Sequence, residues 1–470
     1  MNKLLTILML LTCGVVAQHS FASNTVIQGV AENIGQREIK LLKYSDYVSR
    51  KPEVIASARA DQNGNFKLDF FLSTTEYIRL SVGFKEASLF VSPGAKINVH
   101  IDYGEKILRQ RGSYPLQKPL DFLIKNEPDS SVNRLIFRFD SISGHILPEN
   151  TMRMILYQRD YGRYDSLKKK IIYAMGNVRN SFVDNYMKYR FAQLETVLYS
   201  HNLTSIGERM LADQKILYRH IEYMYFFENY VDMYIPGKSD DITPADIDRG
   251  LNQIRPDYEV LDEVLGKDTV FRNEKVRELA ALMLLKRSYH NKIYNPHKII
   301  NLLDDLRLKT KFNRHKEIAI YLKNQLLQYK RKNKLKDFTF PTSRKNNDSI
   351  RFSDFRGRYL LISFYQQSCM DCMLEMDIMQ KLYDEHSTDI FLLSVFLDDN
   401  FKDFQKFAKN SEYEWNMVYF NHQYDLVKYF NLSTIPRYIL VAPDGKIKRK
   451  YLPKLGEGGL EIINGLLKQF

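Results

Sequence analysis

The pattern of apolar and polar residues divides the chain into three regions. From Thr25 to about Tyr103, short apolar runs alternate with polar residues or turn residues, and from about Pro115 to Lys332 apolar residues recur three and four apart. Beyond residue 335, short apolar runs and segments with apolar residues three and four apart alternate along the chain. A period of two is typical of strands, and a period between three and four is typical of helices. The pattern therefore predicts a multidomain protein with a β-rich, an all-α and an α/β region.

The β-rich region contains short apolar runs such as Phe66-Lys67-Leu68, separated by turn signals. Asn63-Gly64 and Pro93-Gly94 are two of these turns, and both pairs favour tight reversals of the chain. Seven short strands at this spacing are typical of a small sandwich. We predict a β-sandwich-like domain over residues 24–112. No catalytic constellation stands out in it.

The central region, residues 115–332, is predicted to form an all-α domain. Thr243-Pro244-Ala245-Asp246 is a helix start, because it combines a capping hydroxyl, a proline at the first helical position and an early acid. The aromatic residues from Tyr218 to Tyr234 are interpreted as core, since aromatic stripes at helical spacing usually face the interior. A basic tract, Lys330 to Lys336, is predicted to be a hinge.

The last region, residues 335–470, reads as strand-helix-strand-helix-strand-strand-helix, with a further strand at Trp415 to Phe420 and a further short helix at Tyr424 to Phe430 after the second helix. Its first strand is the apolar run Tyr359 to Tyr365, and its hairpin turn is Asp444-Gly445. We predict an α/β domain here.

The first 22 residues are predicted to be an export signal. Lys3 supplies the positive end, Leu4 to Val16 the apolar core, and Ser20-Phe21-Ala22 a small-x-Ala cleavage site. The apolar core is short for a membrane span. The alternative to an export signal is a buried N-terminal helix. Cys13 follows a sequence similar to a lipoprotein box, with an unfavourable Thr12 before it. The mature chain is therefore expected in the periplasm or cell envelope of a bacterium, soluble or, less favoured, lipid-anchored through Cys13.

Length and charge limit the remaining possibilities. A chain of 470 residues with 44% hydrophobic content can build two or three cores. The formal net charge of +13 favours contact with anionic envelope surfaces or acidic partners over nucleic acid in an exported protein. A charge without any partner is the alternative, and the basic clusters themselves are interpreted as solvated surface.

Cys369 and Cys372 are the only cysteines left once the export signal is removed. They lie between the apolar run ending at Tyr365 and a helix-like segment, so the first sulfur is expected at a helix N-terminus and the second one turn inside. The helix dipole and unpaired backbone N–H groups would stabilise a thiolate at Cys369, and Cys372 would attack a mixed disulfide. This spacing predicts a redox-active dithiol.

Two other interpretations of the cysteine pair remain open. A zinc site needs two further ligands, and His386 and His422 would have to serve at unusual spacing. An inert buried pair needs no further residues. We expect no metal and no cofactor.

The C-terminal region resembles the TlpA/ResA-like group of thioredoxin-family thiol-disulfide oxidoreductases. The resemblance rests on Phe338-Thr339-Phe340-Pro341, the lead-in Phe355 to Tyr359, Cys369-x-x-Cys372 with Glu375, and Ile435-Pro436 before the Asp444-Gly445-Lys446 hairpin, all in family order. It implies a thioredoxin-like fold in which Pro436 is cis and lies against the dithiol. The β-rich region resembles, more loosely, the β-rich domain of unknown function that often precedes such domains in exported bacterial proteins.

The sequence departs from this family at several positions. Ser368 stands where a tryptophan usually precedes the first cysteine, and Met370-Asp371 replaces a Gly-Pro or similar pair. Ser363 aligns with the buried acid of thioredoxin, and Asp377 with a common proline. These changes affect the reduction potential of the dithiol, the group that accepts its proton and the surface that meets a partner. The dithiol itself is kept.

The resemblance implies a function and a set of roles. Cys369 would attack a substrate disulfide, Cys372 would resolve it, and Ile435 and Pro436 would hold the substrate strand. Partners would be disulfide-bearing envelope proteins and a membrane electron carrier as reductant.

Three side chains are expected to modulate the dithiol. Asp371 disfavours the thiolate by like-charge repulsion, Arg437 favours it if its side chain turns inward, and Glu375 is a third modulator. We expect Cys369 to be exposed with a low pKa, and Cys372 to be shielded.

Two further functions are considered beside the oxidoreductase. The alternative is a non-catalytic binding or scaffold protein that uses the thioredoxin-like domain as a platform. A peroxidase is the third, although residues 362–369 lack the proline of the usual peroxidatic context.

Overall fold

A computed structural model describes residues 22–35, 37–104, 114–331, 335–342, 349–398 and 400–468. The strands are β1 (Ser23–Glu32), β2 (Glu38–Tyr44), β3 (Pro52–Arg59), β4 (Asn65–Leu72), β5 (Glu76–Val82), β6 (Lys85–Val91), β7 (Lys96–Asp102), β8 (Tyr114–Pro115), β9 (Lys118–Pro119), β10 (Asp121–Lys125), β11 (Thr339–Pro341), β12 (Ser349–Arg351), β13 (Tyr359–Tyr365), β14 (Ile390–Phe396), β15 (Asn416–Tyr419), β16 (Thr434–Ile435), β17 (Arg437–Val441) and β18 (Ile447–Leu452).

The α-helices are α1 (Val132–Ile146), α2 (Glu149–Gln158), α3 (Tyr161–Met175), α4 (Ser181–Leu198), α5 (Leu203–Gly207), α6 (Ile221–Tyr234), α7 (Pro244–Leu251), α8 (Tyr258–Gly266), α9 (Glu274–Ser288), α10 (Pro296–Lys309), α11 (Asn313–Arg331), α12 (Met370–His386), α13 (Phe401–Asn410), α14 (Tyr424–Phe430) and α15 (Gly459–Leu467). The three-region architecture predicted from the sequence is confirmed.

The β-rich region forms two sheets that enclose one apolar core. Their strand orders are β10-β7-β1-β4 and β3-β2-β5-β6-β9. In β4, Phe66, Leu68, Phe70 and Leu72 are buried and the residues between them are exposed, as the period of two requires. The turn before β4 uses Gly64 at a φ of +82°, a conformation that favours glycine.

The sheets continue further along the chain than the predicted limit at residue 112. β10 pairs antiparallel with β7, and β9 pairs with β6, so strands occupy the first part of the range expected to be helical. The physical reason is local, because Phe122 and Ile124 turn toward the sandwich core while Asp121, Leu123 and Lys125 alternate with them. The first helix begins only at Val132.

The central region is helical throughout α1 to α11. The helix start predicted at Thr243 is present as a full capping box, in which the Thr243 side chain and the Asp246 side chain each accept from the other residue's backbone N–H. The aromatic residues of α6, among them Tyr223, Phe227 and Tyr230, are buried in the largest helical core. The interpretation of this stripe as core is confirmed.

The C-terminal domain contains a mixed sheet with the order β15-β14-β13-β17-β18. β13 runs parallel to β14 and antiparallel to β17, and all seven of its residues are buried. A strand with helices on both faces must be apolar on both faces, which is why Tyr359 to Tyr365 has no alternation. The element order expected from the sequence is confirmed.

The β-rich region and the C-terminal domain also contact each other directly. β8 pairs antiparallel with β16, and Phe84, which follows β5, packs on Phe420 and Tyr424 with ring centroids 5.4 and 5.1 Å apart. Leu116 is buried in the core of the C-terminal domain, whereas Leu120 is buried in the sandwich core. The short segment between them therefore joins two cores.

Several predictions concern residues outside the described ranges. The export signal, except Ala22, and Cys13 lie there, and so does part of the predicted hinge, since residues 332–334 are not described. Within the described residues, no helix has both the length and the apolar content that crossing a membrane requires.

Candidate active site

The two cysteines lie at the start of α12, directly after the central strand of the C-terminal sheet. β13 ends at Tyr365, and a tight turn closed by the Cys369 N–H and the Gln366 carbonyl (3.0 Å) leads into the helix. Cys369 is the N-cap residue, with the extended backbone that this position needs. Its Sγ accepts a hydrogen bond from the Cys372 N–H at 3.2 Å, and the two cysteines form a disulfide. The predicted placement of both sulfurs on the helix is present.

The expected exposure of Cys369 is wrong. Both cysteines have 0% of their surface exposed to solvent. The dipole argument locates the sulfur along the helix axis, but it says nothing about which other parts of the chain lie over the helix end. The position of Cys369 on the helix therefore does not by itself decide whether its sulfur reaches solvent.

Asp371, between the cysteines, is paired with a cation. The Nζ of Lys454 lies 2.9 Å from Asp371 Oδ2 and 3.0 Å from Glu457 Oε1. The hydrogen bond to Asp371 is the main reason that the pKa of Lys454 is raised. The like-charge repulsion expected from Asp371 is thus offset by an ammonium group that the sequence analysis did not consider.

Glu375, one turn after Cys372, is the buried acid of this site. Its carboxyl group accepts from the Tyr438 hydroxyl (2.9 Å) and from the backbone N–H groups of Leu455 (2.6 Å) and Gly456 (3.0 Å). The Tyr438 hydroxyl also lies 2.6 Å from the Tyr365 hydroxyl, and burial raises the pKa of Tyr438 well above its usual range. Three donors satisfy the carboxyl group, so it can stay buried beside the dithiol helix.

Ser363, which aligns with the buried acid of thioredoxin, belongs to an uncharged cluster. Its hydroxyl lies 2.9 Å from the Ser394 hydroxyl, to which the Trp415 indole N–H donates at 2.9 Å. The described part of β13 therefore has no acid at this position, and Glu375 on α12 is a buried acid beside the motif.

Ile435 and Pro436 lie at the same edge of the sheet as the dithiol. Phe364 is opposite Arg437 in the β13–β17 pair, so Pro436 is level with Tyr365, where β13 ends and the turn to Cys369 begins. The Ile435–Pro436 peptide bond is cis, as the resemblance implied. Pro436 and Tyr438 share a strand face, and Tyr438 contacts Glu375 on α12, so Pro436 lies on the dithiol side.

Arg437 lies on the other face of β17. Its guanidinium stacks over the Tyr451 ring, with Cζ 3.9 Å from the ring centroid, and burial lowers the pKa of Arg437. Neighbouring residues of a strand face opposite sides, so a side chain next to Tyr438 points away from α12. The inward orientation considered for Arg437 is not present, and Lys454 is the cation next to the motif.

The zinc alternative finds no support in this geometry. His386 is at the far end of α12, with its Nδ1 3.6 Å from Asp389 Oδ2, and His422 contacts Tyr419. Within the described residues, no group of three or more His, Cys, Asp and Glu side chains is arranged to hold a metal ion.

Sequence reasoning missed Lys454, Tyr365 and Tyr438 as parts of this site. Lys454 lies more than eighty residues from Asp371 along the chain, and a lysine before a Leu-Gly turn carries no local signal. Tyr438 had a usable signal, because it stands two residues after Pro436 and so shares its strand face.

Comparison with known proteins finds matches to the C-terminal part of the chain. Residues 332–450 match the model of the AhpC/TSA family. The chain matches no curated protein sequence.

Similar solved structures cover the same part of the chain. The thioredoxin domain of a thiol-disulfide oxidoreductase from Bacteroides vulgatus is 24% identical, with a TM-score of 0.26, and the match covers 28% of this chain and 94% of that one. A thiol:disulfide interchange protein from Bacteroides sp. is 23% identical, with a TM-score of 0.26 and coverage of 29% and 89%. An exposed lipoprotein thioredoxin from Streptococcus pneumoniae is 17% identical, with a TM-score of 0.24 and coverage of 29% and 100%.

The sheet order, the Cys-x-x-Cys at the start of α12 and the AhpC/TSA match define the class of the C-terminal domain. It is a thioredoxin-like domain, and it follows a β-sandwich and a helical region in one chain.

Proposed function

We propose that the protein is a thiol-disulfide oxidoreductase of the bacterial envelope. The observation that supports this most strongly is the disulfide between Cys369 and Cys372, formed at the N-terminus of α12 in a thioredoxin-like domain. Nearby N–H groups and the helix dipole stabilise a thiolate at that position.

The exchange proceeds in two balanced steps. The Cys369 thiolate attacks one sulfur of a client disulfide, so a mixed disulfide forms and one client thiolate leaves. Cys372, deprotonated as it reacts, then attacks the Cys369 sulfur, which releases the second client thiolate and closes the Cys369–Cys372 disulfide. The client gains two electrons and the dithiol loses two. A dithiol reductant, by the family resemblance a membrane electron carrier, returns the pair to its reduced form.

The same proposal assigns the remaining roles. Ile435 and Pro436 hold the client strand at the sheet edge, and Asp371 and Glu375 adjust the dithiol through Lys454 and Tyr438. Clients are disulfide-bearing envelope proteins, which suits the export signal proposed for residues 1–22, because disulfides persist in oxidising compartments.

Trapping of mixed disulfides tests the roles of the two sulfurs. Full-length Cys372→Ala protein should form a mixed disulfide with envelope proteins, since the resolving thiol is gone, and Cys369→Ala should form none. The bound species are identified by mass after non-reducing electrophoresis. Trapping by Cys369→Ala alone would reverse the two roles.

A scaffold without catalysis is the second candidate, and the complete burial of both sulfurs favours it. In a scaffold the disulfide is structural, so neither variant traps a partner and both lose stability. In an oxidoreductase, the Cys372→Ala variant stays folded and traps partners.

A further inference from the structure

The edge of the C-terminal domain beside the dithiol is already paired with another part of the same chain. β16 (Thr434–Ile435) ends directly at Pro436, and β8 runs antiparallel to it, with Pro115 opposite Thr434 and Tyr114 opposite Ile435. The Leu116 N–H also donates to the Ser433 carbonyl at 3.0 Å. An extended segment of the β-rich region therefore occupies the position where a client strand would pair.

Leu116 fixes this segment to the C-terminal domain. Only 2% of its surface is exposed, and it is buried in the thioredoxin-like core although it lies more than two hundred residues before that domain. The apolar site that holds Leu116 is thus part of the edge, and it accepts a branched aliphatic side chain beside a paired backbone.

The other end of the segment is fixed to the sandwich. The Lys118 N–H donates to the Phe84 carbonyl and the Leu120 N–H to the Glu86 carbonyl, both at 2.9 Å. The segment is therefore tethered to the β-rich region, so release of β8 from β16 leaves it attached and close to the edge.

Several observations mark the β8 pairing as displaceable. β8 has two residues, and Pro115 has no N–H to donate to a partner strand. Pairing in which one strand adds to a sheet edge gives affinity through main-chain bonds and specificity through side-chain pockets, so another extended segment with a similar residue competes directly.

We propose that the Thr434–Ile435 edge is the docking edge for an extended client segment whose apolar side chain takes the place of Leu116, and that residues 114–116 are an internal competitor for it. This rests on the proposed function. Pro436, at the end of this edge, is level with Tyr365, where β13 ends and the turn to Cys369 begins, so release of the segment is expected to ease access to Cys369.

Alkylation of reduced full-length protein tests the proposal without any client. In Leu116→Ser the segment loses its apolar anchor, so Cys369 should react with iodoacetamide roughly ten-fold faster than in the unmodified protein. Leu123→Ser is the matched control, because Leu123 is an exposed leucine of the neighbouring strand β10. A folded Leu116→Ser variant with an unchanged alkylation rate would overturn the proposal.

A synthetic heptapeptide of residues 114–120 sharpens the result. It should slow the alkylation of Leu116→Ser and leave the unmodified protein unchanged, since only the variant has a free edge. A peptide with serine at the position of Leu116 should have no effect. Equal inhibition by both peptides would show that the side chain at the position of Leu116 does not contribute to binding, which contradicts the role of the apolar site.

Reduction of insulin by the same proteins separates this inference from the proposed function. Faster alkylation together with faster insulin reduction in Leu116→Ser supports both. Faster alkylation without insulin reduction by any of the proteins keeps the internal competitor and counts against the oxidoreductase.

Hydrogen exchange decides the matter if Leu116→Ser does not fold. A cysteine peptide activated as its thiopyridyl disulfide is reacted with Cys372→Ala protein, so that a disulfide joins the peptide to Cys369 and thiopyridine leaves. The Leu116 amide, which donates to the Ser433 carbonyl, should then exchange faster than in the unjoined protein, and the amides of Lys118, Leu120 and β7 should not change. Unchanged protection of the Leu116 amide contradicts displacement.

Discussion

The dithiol has two sides that differ in their chemistry. On the helix side, Asp371 and Glu375 are held by Lys454, Tyr438 and backbone N–H groups of the 454–457 turn. On the strand side, Ile435 and Pro436 lie beside apolar residues, and β8 pairs with the edge. We expect the charges of the helix side to set the stability of the thiolate and the packing of the strand side to set access to it.

This difference predicts two separable classes of variant. A change on the strand side should alter how fast Cys369 reacts while leaving the pH at which its thiolate forms. A change on the helix side should alter that pH, or the stability of the domain, and leave access unchanged. A variant that moves both together would show that the two sides are coupled.

The largest effect is expected for Phe84→Ala on the strand side. Phe84 is buried against Phe420 and Tyr424, and loss of a buried phenylalanine ring costs about 3 kcal/mol or more. Urea unfolding should then separate into distinct transitions for the β-rich region and the C-terminal domain. Phe71→Ala is the control, because Phe71 is 69% exposed on the same sandwich. A shifted pH midpoint for Cys369 alkylation in Phe84→Ala would contradict the separation of the two sides.

Glu375→Gln should give the next largest effect. In the unmodified protein the Leu455 and Gly456 N–H groups both donate to the Glu375 carboxyl group. The glutamine amide places its own N–H group against one of them, so that N–H loses its acceptor, and an unsatisfied buried polar group costs about 1–3 kcal/mol. Denaturant unfolding of the C-terminal domain measures this. Glu385→Gln, an exposed position on the same helix, should change stability by less than about 0.5 kcal/mol. Equal stability of the two variants would show that the Glu375 contacts contribute nothing.

Tyr438→Phe removes the hydroxyl that bridges Glu375 and Tyr365. The carboxyl group keeps both backbone donors, so we expect a loss of about 1 kcal/mol, as for a single buried hydrogen bond. Thermal and urea unfolding provide the measurement, with Tyr451→Phe on the exposed side of β18 as control. A larger loss of stability than in Glu375→Gln would show that the two tyrosines, and not the acid, contribute most to this cluster.

The smallest effect is expected for the Lys454–Asp371 pair. Lys454→Gln leaves the Asp371 charge uncompensated and should raise the pKa of Cys369, whereas Asp371→Asn should lower it, each by on the order of half a unit, because partly exposed pairs are worth about 0.2–1 kcal/mol. The pH dependence of iodoacetamide alkylation measures the shift. The double variant should return close to the unmodified value, and additive shifts of one sign would contradict the charge pairing.

The pH range of that experiment follows from the raised pKa of Lys454. A lysine whose pKa is raised on folding contributes stability that is fully present below its unfolded value of about 10.4 and is lost as pH rises through the folded value. The ammonium group of Lys454 therefore stays charged throughout the neutral range.

The helix side was largely predictable because its signals are local. Cys369, Cys372, Asp371 and Glu375 lie within seven consecutive residues, and a turn after an apolar strand fixes them at the start of one helix. The strand order of the domain was also predictable, since each element carries its own period. Lys454 was not, because an ion pair between distant segments has no local pattern.

The strand side could not be predicted for a similar reason. β8 has two residues, far below the length at which alternation can be recognised, and its partner β16 lies more than three hundred residues later. We expected an exposed Cys369 from the residues around the motif alone, and these carry no information about the parts of the chain that pack over the helix end. Pairing between domains depends on the packed structure, as the Phe84 contacts show.

The most direct test of the central claim is a redox equilibrium of Cys369 and Cys372. Full-length reduced protein is equilibrated in a series of glutathione buffers, alkylated under denaturing conditions and weighed by mass spectrometry. We expect one transition in which both cysteines gain and lose the label together, since a dithiol and its disulfide exchange two electrons as a unit. A disulfide that stays closed at every buffer ratio, or glutathione held on Cys369 with Cys372 still free, would contradict it.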